Sequence, residues 1–259
     1  MMPDVALHTW YMAGRHLRNL ARQPWYVALT LFQPILYLLV FADLFKSVVQ
    51  IPGFGGGSYL VFLTPGIVII SALFSSGWNG MSMIEDLDRG VLDRFLQSPV
   101  KRVSLIAGRL VQLAAVILIQ TAIILVLALI KGAHFSNGIL GILILLACSF
   151  MLAVPFGAIS NGIALLARRE ETVIAAVNFL ILPLTFLSSV FMAPELMPGW
   201  IRAISHYNPV NWAVEAARQA LGTGTNWNVV IIRLAYLAAL GVFCTWFGTR
   251  AFRTYQRSV

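Results

Sequence analysis

Six stretches of the sequence, each 21 to 29 residues long, carry at most one charged residue apiece. They are, approximately, Trp25–Phe45, Tyr59–Ile84, Leu110–Ile130, Ile139–Ala167, Thr172–Ala193 and Trp227–Thr249. A helix needs about 20 apolar residues to cross a bilayer, and it satisfies its own backbone hydrogen bonds there. The stretches therefore predict six transmembrane helices, which leave no room for a separate catalytic domain.

The composition supports this prediction. Hydrophobic residues make up 59% of the chain and charged residues only 11%, whereas soluble domains have about 25% charged residues. We therefore expect an all-α integral membrane protein whose residues 1–259 form a single transmembrane domain. The two cysteines, Cys148 and Cys244, lie within apolar stretches, which favours buried thiols over a disulfide.

The basic residues are distributed unevenly between the two sides of these helices. If the six stretches span the membrane in turn, 13 of the 18 Lys and Arg residues fall on the side of the two termini. Positive charge is enriched in cytoplasmic loops, so both termini of this multi-pass cell-membrane protein are predicted to be cytoplasmic. The net charge of +8 then reflects topology and lipid contact, not binding to nucleic acid. Residues 1–24, with Trp10 and Tyr11 among arginines, are predicted to form a helix at the membrane interface.

One short segment, Glu85–Arg102, holds 8 of the 28 charged residues and is called the charged segment below. Within it, Val91, Leu92, Phe95 and Leu96 are spaced as on one helix face, and Ser98-Pro99 ends the pattern. The pattern predicts a short amphipathic helix on the cytoplasmic side that serves as a docking surface for another protein. The alternative is a solvated loop with incidental ion pairs.

The sequence from Arg89 to Arg94, followed by Ser98-Pro99 and Arg102, resembles the cytoplasmic loop of ATP-binding-cassette type-2 exporter permeases, in their drug- and lipid-exporting branch. Pro65-Gly66 after Tyr59 and the six-span order also match that family. The resemblance implies that the charged segment contains the coupling helix, which contacts the ATPase subunit. The candidate coupling residues are Glu85, Asp86, Asp88, Arg89, Gly90, Asp93, Arg94 and Pro99.

A second segment, Pro194–Asn226, precedes the last span and is called the aromatic segment below. It contains Trp200, His206, Tyr207 and Trp212, which are typical of a belt at the membrane surface. The resemblance implies instead two short re-entrant helices, separated by Asn208-Pro209, that close the outer end of the transport pathway. The candidate gate residues are Glu195, Arg202, Asn208, Pro209, Glu215 and Arg218.

Polar side chains inside the predicted spans, such as Gln120, Asn161 and Asn178, are expected to form hydrogen bonds between helices. Asp43 lies at the end of the first span and close to Lys46, so we expect these two residues to form an interfacial ion pair.

The resemblance implies a permease subunit that moves a hydrophobic drug-like or lipid substrate out of the cytoplasm or the inner leaflet. Two cytoplasmic ATPase subunits, with ATP and Mg²⁺, would drive it, and a second permease copy or a related permease would complete the pathway. The chain has no GxxxxGK[ST] phosphate loop, so it is expected to have no ATPase of its own, no catalytic residues, no metal and no bound cofactor. The alternatives are a permease for polysaccharide or glycolipid export, a membrane-embedded lipid-modifying enzyme, and a channel.

Overall fold

A computed structural model describes residues 24–51, 54, 58–90, 102–222 and 224–256, together with Gly14 and Arg18. These residues are mainly helical, and no strand occurs among them. The predicted all-α class is confirmed. The predicted interfacial helix of residues 1–24 lies almost wholly outside the described residues.

The α-helices follow one another with short connections. They are α1 (Pro24–Leu44), α2 (Tyr59–Gly77), α3 (Asn79–Asp88), α4 (Arg102–Ile130), α5 (Gly138–Ala167), α6 (Glu170–Phe186), α7 (Gly199–Ser205), α8 (Pro209–Leu221) and α9 (Trp227–Gln256). Two short 3-10 helices, Lys46–Gln50 and Pro194–Leu196, follow α1 and precede α7.

Four helical stretches of the described chain are long and apolar enough to cross a membrane. They are Tyr59–Asp88, Arg109–Ile130, Gly138–Ala167 and Trp227–Trp246. They coincide with the second, third, fourth and sixth predicted spans, so the chain is embedded in a membrane. The first predicted span corresponds to α1, in which a shorter apolar stretch covers Ala28–Leu44. The fifth predicted span corresponds to α6. The total of six spans stays a prediction.

The fifth predicted span was too long. Helix α6 ends at Phe186, and residues 187–193 form turns and bends instead of continuing to Ala193. The Ser188 hydroxyl donates to the Thr185 carbonyl oxygen over 2.6 Å, and such a local side-chain bond competes with the helical pattern. Other backbone groups of this stretch bind side chains of other elements, so unwinding leaves them satisfied.

The core forms where α5 packs against α2, α8 and α9. Leu63 and Ile67 of α2 and Leu145 and Leu152 of α5 are fully buried there. Large apolar side chains also point outward, for example Phe32 of α1 and Phe179 of α6. An apolar outer surface is what a lipid environment requires.

Among the polar side chains within the predicted spans, Gln120 and Asn161 bind side chains of other helices, as predicted. Ser75 of α2 and Gln120 of α4 exchange two hydrogen bonds, at 3.0 and 2.9 Å, and both are buried. Asn178, in contrast, donates to the Ile174 carbonyl oxygen of its own helix. The predicted partner of Asp43 was wrong, because its carboxylate lies 2.6 Å from the Nζ atom of Lys131, just after α4, which tertiary packing brings to the end of α1.

Candidate functional sites

The charged segment begins as the last turn of α3. Glu85, Asp86 and Asp88 lie in that turn, and Arg89 caps it. Gly90 has a φ of 64°, in the left-handed region that ends helices and favours glycine. The other predicted coupling residues, Asp93, Arg94 and Pro99, lie outside the described residues, as does the predicted amphipathic helix after Gly90.

Three of the candidate coupling side chains point into solvent. The Arg89 guanidinium lies 2.5 Å from the Glu85 carboxylate, and the two side chains are 70% and 52% exposed. Asp88 is also exposed. An exposed pair one helical turn apart contributes only about 0.3–0.5 kcal/mol to stability. Their polar groups are therefore open to a binding partner.

Asp86 has a different environment, although it is the next residue after Glu85. Its carboxylate accepts a hydrogen bond from Arg109 Nη2 at 2.6 Å, and the Arg109 and Asp86 side chains are only 15% and 24% exposed. Arg109 Nη1 also donates to Asn161 Oδ1 at 3.4 Å. These contacts join α3, α4 and α5, and we call Asp86, Arg109 and Asn161 the inner junction.

Six residues before Asp86, α3 also meets α5 at very close range. The Gly80 backbone N–H donates to Ser160 Oγ at 3.1 Å, and the Ser160 hydroxyl donates to the Gly77 carbonyl oxygen. A Cβ atom at Gly80 would lie 2.6 Å from the Ser160 carbonyl oxygen. Only glycine allows the two backbones to approach this closely.

The aromatic segment contains two short helices, α7 and α8, and the predicted break at Asn208-Pro209 is where α8 begins. Asn208 caps α8, because its side-chain oxygen accepts from the Val210 N–H at 2.9 Å, and Pro209 occupies the first turn. The Asn208 amide also donates to the Leu184 and Leu187 carbonyl oxygens at 2.7 and 2.9 Å. The cap of α8 therefore also fastens the end of α6.

Arg218 of α8 holds the unwound stretch 187–193 against α2. Its guanidinium donates to the Phe62 carbonyl oxygen at 3.0 Å, to Ser189 Oγ at 3.2 Å and to the Val190 carbonyl oxygen at 2.8 Å. It also lies 3.4 Å from the centre of the Phe62 ring. We call this arrangement the outer clamp.

Two further side chains complete the outer clamp. Asn211 Oδ1 accepts from the Ser189 N–H at 3.0 Å, and the Tyr59 hydroxyl donates to the Phe191 carbonyl oxygen at 2.8 Å. Pro65-Gly66 fits the same stretch, because a Cβ atom at Gly66 would lie 3.1 Å from the Val190 carbonyl oxygen.

Glu215 joins α8 to the last helix. Its carboxylate lies 2.7 Å from the Arg233 guanidinium of α9, and the Arg233 and Glu215 side chains are 13% and 28% exposed. The Asn211 amide donates to Glu215 over 3.0 Å. Glu195 and Arg202 lie on the exposed surface, where Arg202 donates to the Glu195 carbonyl oxygen at 2.7 Å. The other four predicted gate residues, Asn208, Pro209, Glu215 and Arg218, belong to α8 and its cap.

Within the described chain, no group of three or more His, Cys, Asp or Glu residues is arranged to hold a metal ion. Cys148 and Cys244 are buried free thiols, as predicted. The inner junction and the outer clamp can bind backbone and side-chain groups of neighbouring helices.

Sequence reasoning missed several residues of these sites. Ser160, Ser189 and Asn211 were not singled out, and Arg109 and Arg233 were counted only as positive charges. The available signal was a charged residue at or inside an apolar stretch, which requires a partner because an unpaired charge in a membrane is costly.

Comparison with known proteins identifies the relatives of this chain. The profile of the ABC-2 type transporter family matches residues 8–221. The daunorubicin resistance ABC transporter permease protein DrrB1 of Streptomyces coeruleorubidus is 29% identical over 217 residues, covering 81% of this chain and 74% of that protein. The putative transport permease ycf38 of Cyanophora paradoxa is 29% identical over 205 residues, 77% and 69% of the two chains. The probable doxorubicin resistance ABC transporter permease protein DrrC of Mycobacterium tuberculosis is 23% identical over 236 residues, 91% and 84%.

Proposed function

Since the chain belongs to the ABC-2 type transporter family, we propose that it is the transmembrane permease subunit of an ATP-driven exporter of hydrophobic drug-like or lipid molecules. The family match covers the charged segment, the inner junction, the outer clamp and all helices up to α8. It is the single observation that carries the proposal. Relatives named for resistance to daunorubicin and doxorubicin support a drug-like substrate.

The charged segment is the docking site for a cytoplasmic ATPase in this proposal. The exposed charges of Glu85, Asp88 and Arg89 support it, because they lie where α3 leads out of the apolar helices. Two ATPase subunits, which bind ATP and Mg²⁺, supply the energy, and this chain binds no cofactor. Both termini and the charged segment face the cytoplasm, and the aromatic segment closes the opposite end of the pathway.

A second copy of this chain, or a related permease, completes the transport pathway. A small recess lies between α1 and α2 in the described part of the chain. Lipid surrounds the remaining apolar surface of the pair.

The proposal is tested by purifying the chain from its native membrane in mild detergent and identifying the proteins that accompany it. We expect an ATPase with a phosphate loop in near-equal amount, and we expect Asp93→Ala/Arg94→Ala to lose it. Glu195→Ala/Arg202→Ala is the matched control, since it removes one acidic and one basic exposed residue at the other end of the molecule. It should retain the ATPase.

An intact, folded chain that purifies without an ATPase would contradict the proposal and favour a membrane enzyme or a channel. The substrate class is tested with the purified complex in lipid nanodiscs. Hydrophobic cations should stimulate ATP hydrolysis, whereas stimulation only by polyprenyl-linked sugars would assign the chain to glycan export.

A further inference from the structure

We propose that Arg109 is a positioning residue for energy coupling, which transmits displacement of the charged segment to α4 and α5 through the inner junction. The inference rests on the proposed function, because it assumes that an ATPase moves the charged segment. It assigns a role to Arg109 and Asn161, which lie outside that segment and outside the docking surface.

The first step concerns the attachment of α3. Gly80 and Asp86 are two separate points at which α3 is fastened, six residues or about 9 Å apart along the helix. A helix that is fastened at one point pivots about it. A helix fastened at two points moves together with its partners, so α3 acts as a rigid extension of α4 and α5.

The second step concerns burial. The Arg109–Asp86 pair is mostly shielded from water, whereas the neighbouring Arg89–Glu85 pair is exposed. Shielding strengthens a charge pair and makes its separation costly. When the charged segment is displaced, the exposed Arg89–Glu85 pair separates because water replaces its partners. The inner junction stays bound.

The third step concerns where the motion goes. Helix α5 carries Ser160 and Asn161 near one end and Gly141 near the other, about 29 Å away along the helix. A Cβ atom at Gly141 would lie 2.7 Å from the Ala220 carbonyl oxygen of α8, so α5 and α8 are in direct backbone contact there. Helix α8 holds the outer clamp. Movement of α5 therefore reaches the element that fixes residues 187–193.

The test uses the complex of this chain with its ATPase in nanodiscs and measures transport per ATP hydrolysed. Arg109→Gln should keep the ATPase in the wild-type amount and lower transport per ATP at least tenfold. Arg109→Lys, which retains the charge, should recover a substantial part of it. Because Asp86 and Arg109 act as a unit, Asp86→Asn/Arg109→Gln should be no worse than Arg109→Gln alone.

Asp43→Asn is the matched control, because it removes one carboxylate from another ion pair with the same 2.6 Å separation. It should leave transport per ATP unchanged. The exchanged pair Asp86→Arg/Arg109→Asp restores the ion pair, so transport above that of Arg109→Gln would support the inference.

Three results would overturn the inference. Unchanged transport per ATP in Arg109→Gln would do so while leaving the proposed function intact. Loss of the ATPase from Arg109→Gln would assign the residue to docking instead of transmission. Failure of the proposed function shows in the unaltered chain, which would purify without an ATPase and remove the basis of the inference as well.

Discussion

Replacing Arg218 with Lys tests whether the outer clamp depends on the fork of the guanidinium or only on its charge. Both side chains carry one positive charge and have similar helix propensity. Arginine offers three nitrogen atoms, and each donates to a different acceptor in the clamp. Lysine offers one nitrogen, which cannot occupy all three positions.

The magnitude follows from the bonds that are lost. Hydrogen bonds from charged donors contribute about 1.5–3 kcal/mol each, so losing two of three removes roughly 3–6 kcal/mol before relaxation. Val190 and Ser189 are fully buried, which limits access of replacement water. Movement of the ammonium between neighbouring acceptors recovers part of the loss. We expect Arg218→Lys to lower the free energy of unfolding by about 3 kcal/mol.

Equilibrium unfolding in mixed micelles, followed by tryptophan fluorescence, measures this loss. Arg202→Lys is the matched control, because Arg202 is exposed and donates to one carbonyl oxygen. We expect a change within about 0.5 kcal/mol for the control. Equal losses in the two variants, or a loss below about 1 kcal/mol in Arg218→Lys, would refute the assignment of the three bonds to Arg218.

Two further substitutions probe the same end of the molecule by the same unfolding measurement. Gly66→Ala places a Cβ atom 2.9 Å from Val190 Cγ1 and should lower the free energy of unfolding by about 1–3 kcal/mol. Gly241→Ala is the control, because the space at its Cβ position is open, and it should not destabilise the protein. Equal effects of the two substitutions would exclude the close contact. Glu215→Gln leaves Arg233 without its carboxylate partner and should lower the free energy of unfolding by about 3 kcal/mol. Asp43→Asn, in a more exposed pair, should lower it by less than about 1 kcal/mol. A larger loss for Asp43→Asn would contradict the argument that the more buried pair contributes more.

The positions of the long helices could be predicted from the sequence because each charge inside a membrane helix has a large energetic cost. Tyr59 and Trp227 begin helices where the apolar stretches predicted them. The end of α6 could not be predicted in the same way. The stretch up to Ala193 is as apolar as a span, and its unwinding depends on Arg218 and Asn211, which are distant in sequence but supply alternative hydrogen bonds.

The pairing of charged residues could not be predicted from the sequence pattern either. Lys46 is three residues from Asp43, but Asp43 binds Lys131, 88 residues away in the sequence. Proximity in sequence is a weak guide here, because an interfacial side chain pairs with whichever neighbouring helix packing brings closest. Asn208-Pro209, in contrast, was identified correctly as a boundary, since an asparagine cap followed by proline is a local signal.

Glu85 and Asp86 show why we propose different roles for the candidate coupling residues. They are adjacent carboxylates in the same helical turn, and successive residues of a helix point about 100° apart. That rotation turns Glu85 toward solvent and Asp86 toward Arg109. A docking surface needs exposed groups whose hydrogen bonds are exchangeable, whereas transmission of force needs shielded groups whose bonds persist. The two requirements exclude each other at a single residue, so we assign the proposed docking and the proposed transmission to different faces of α3.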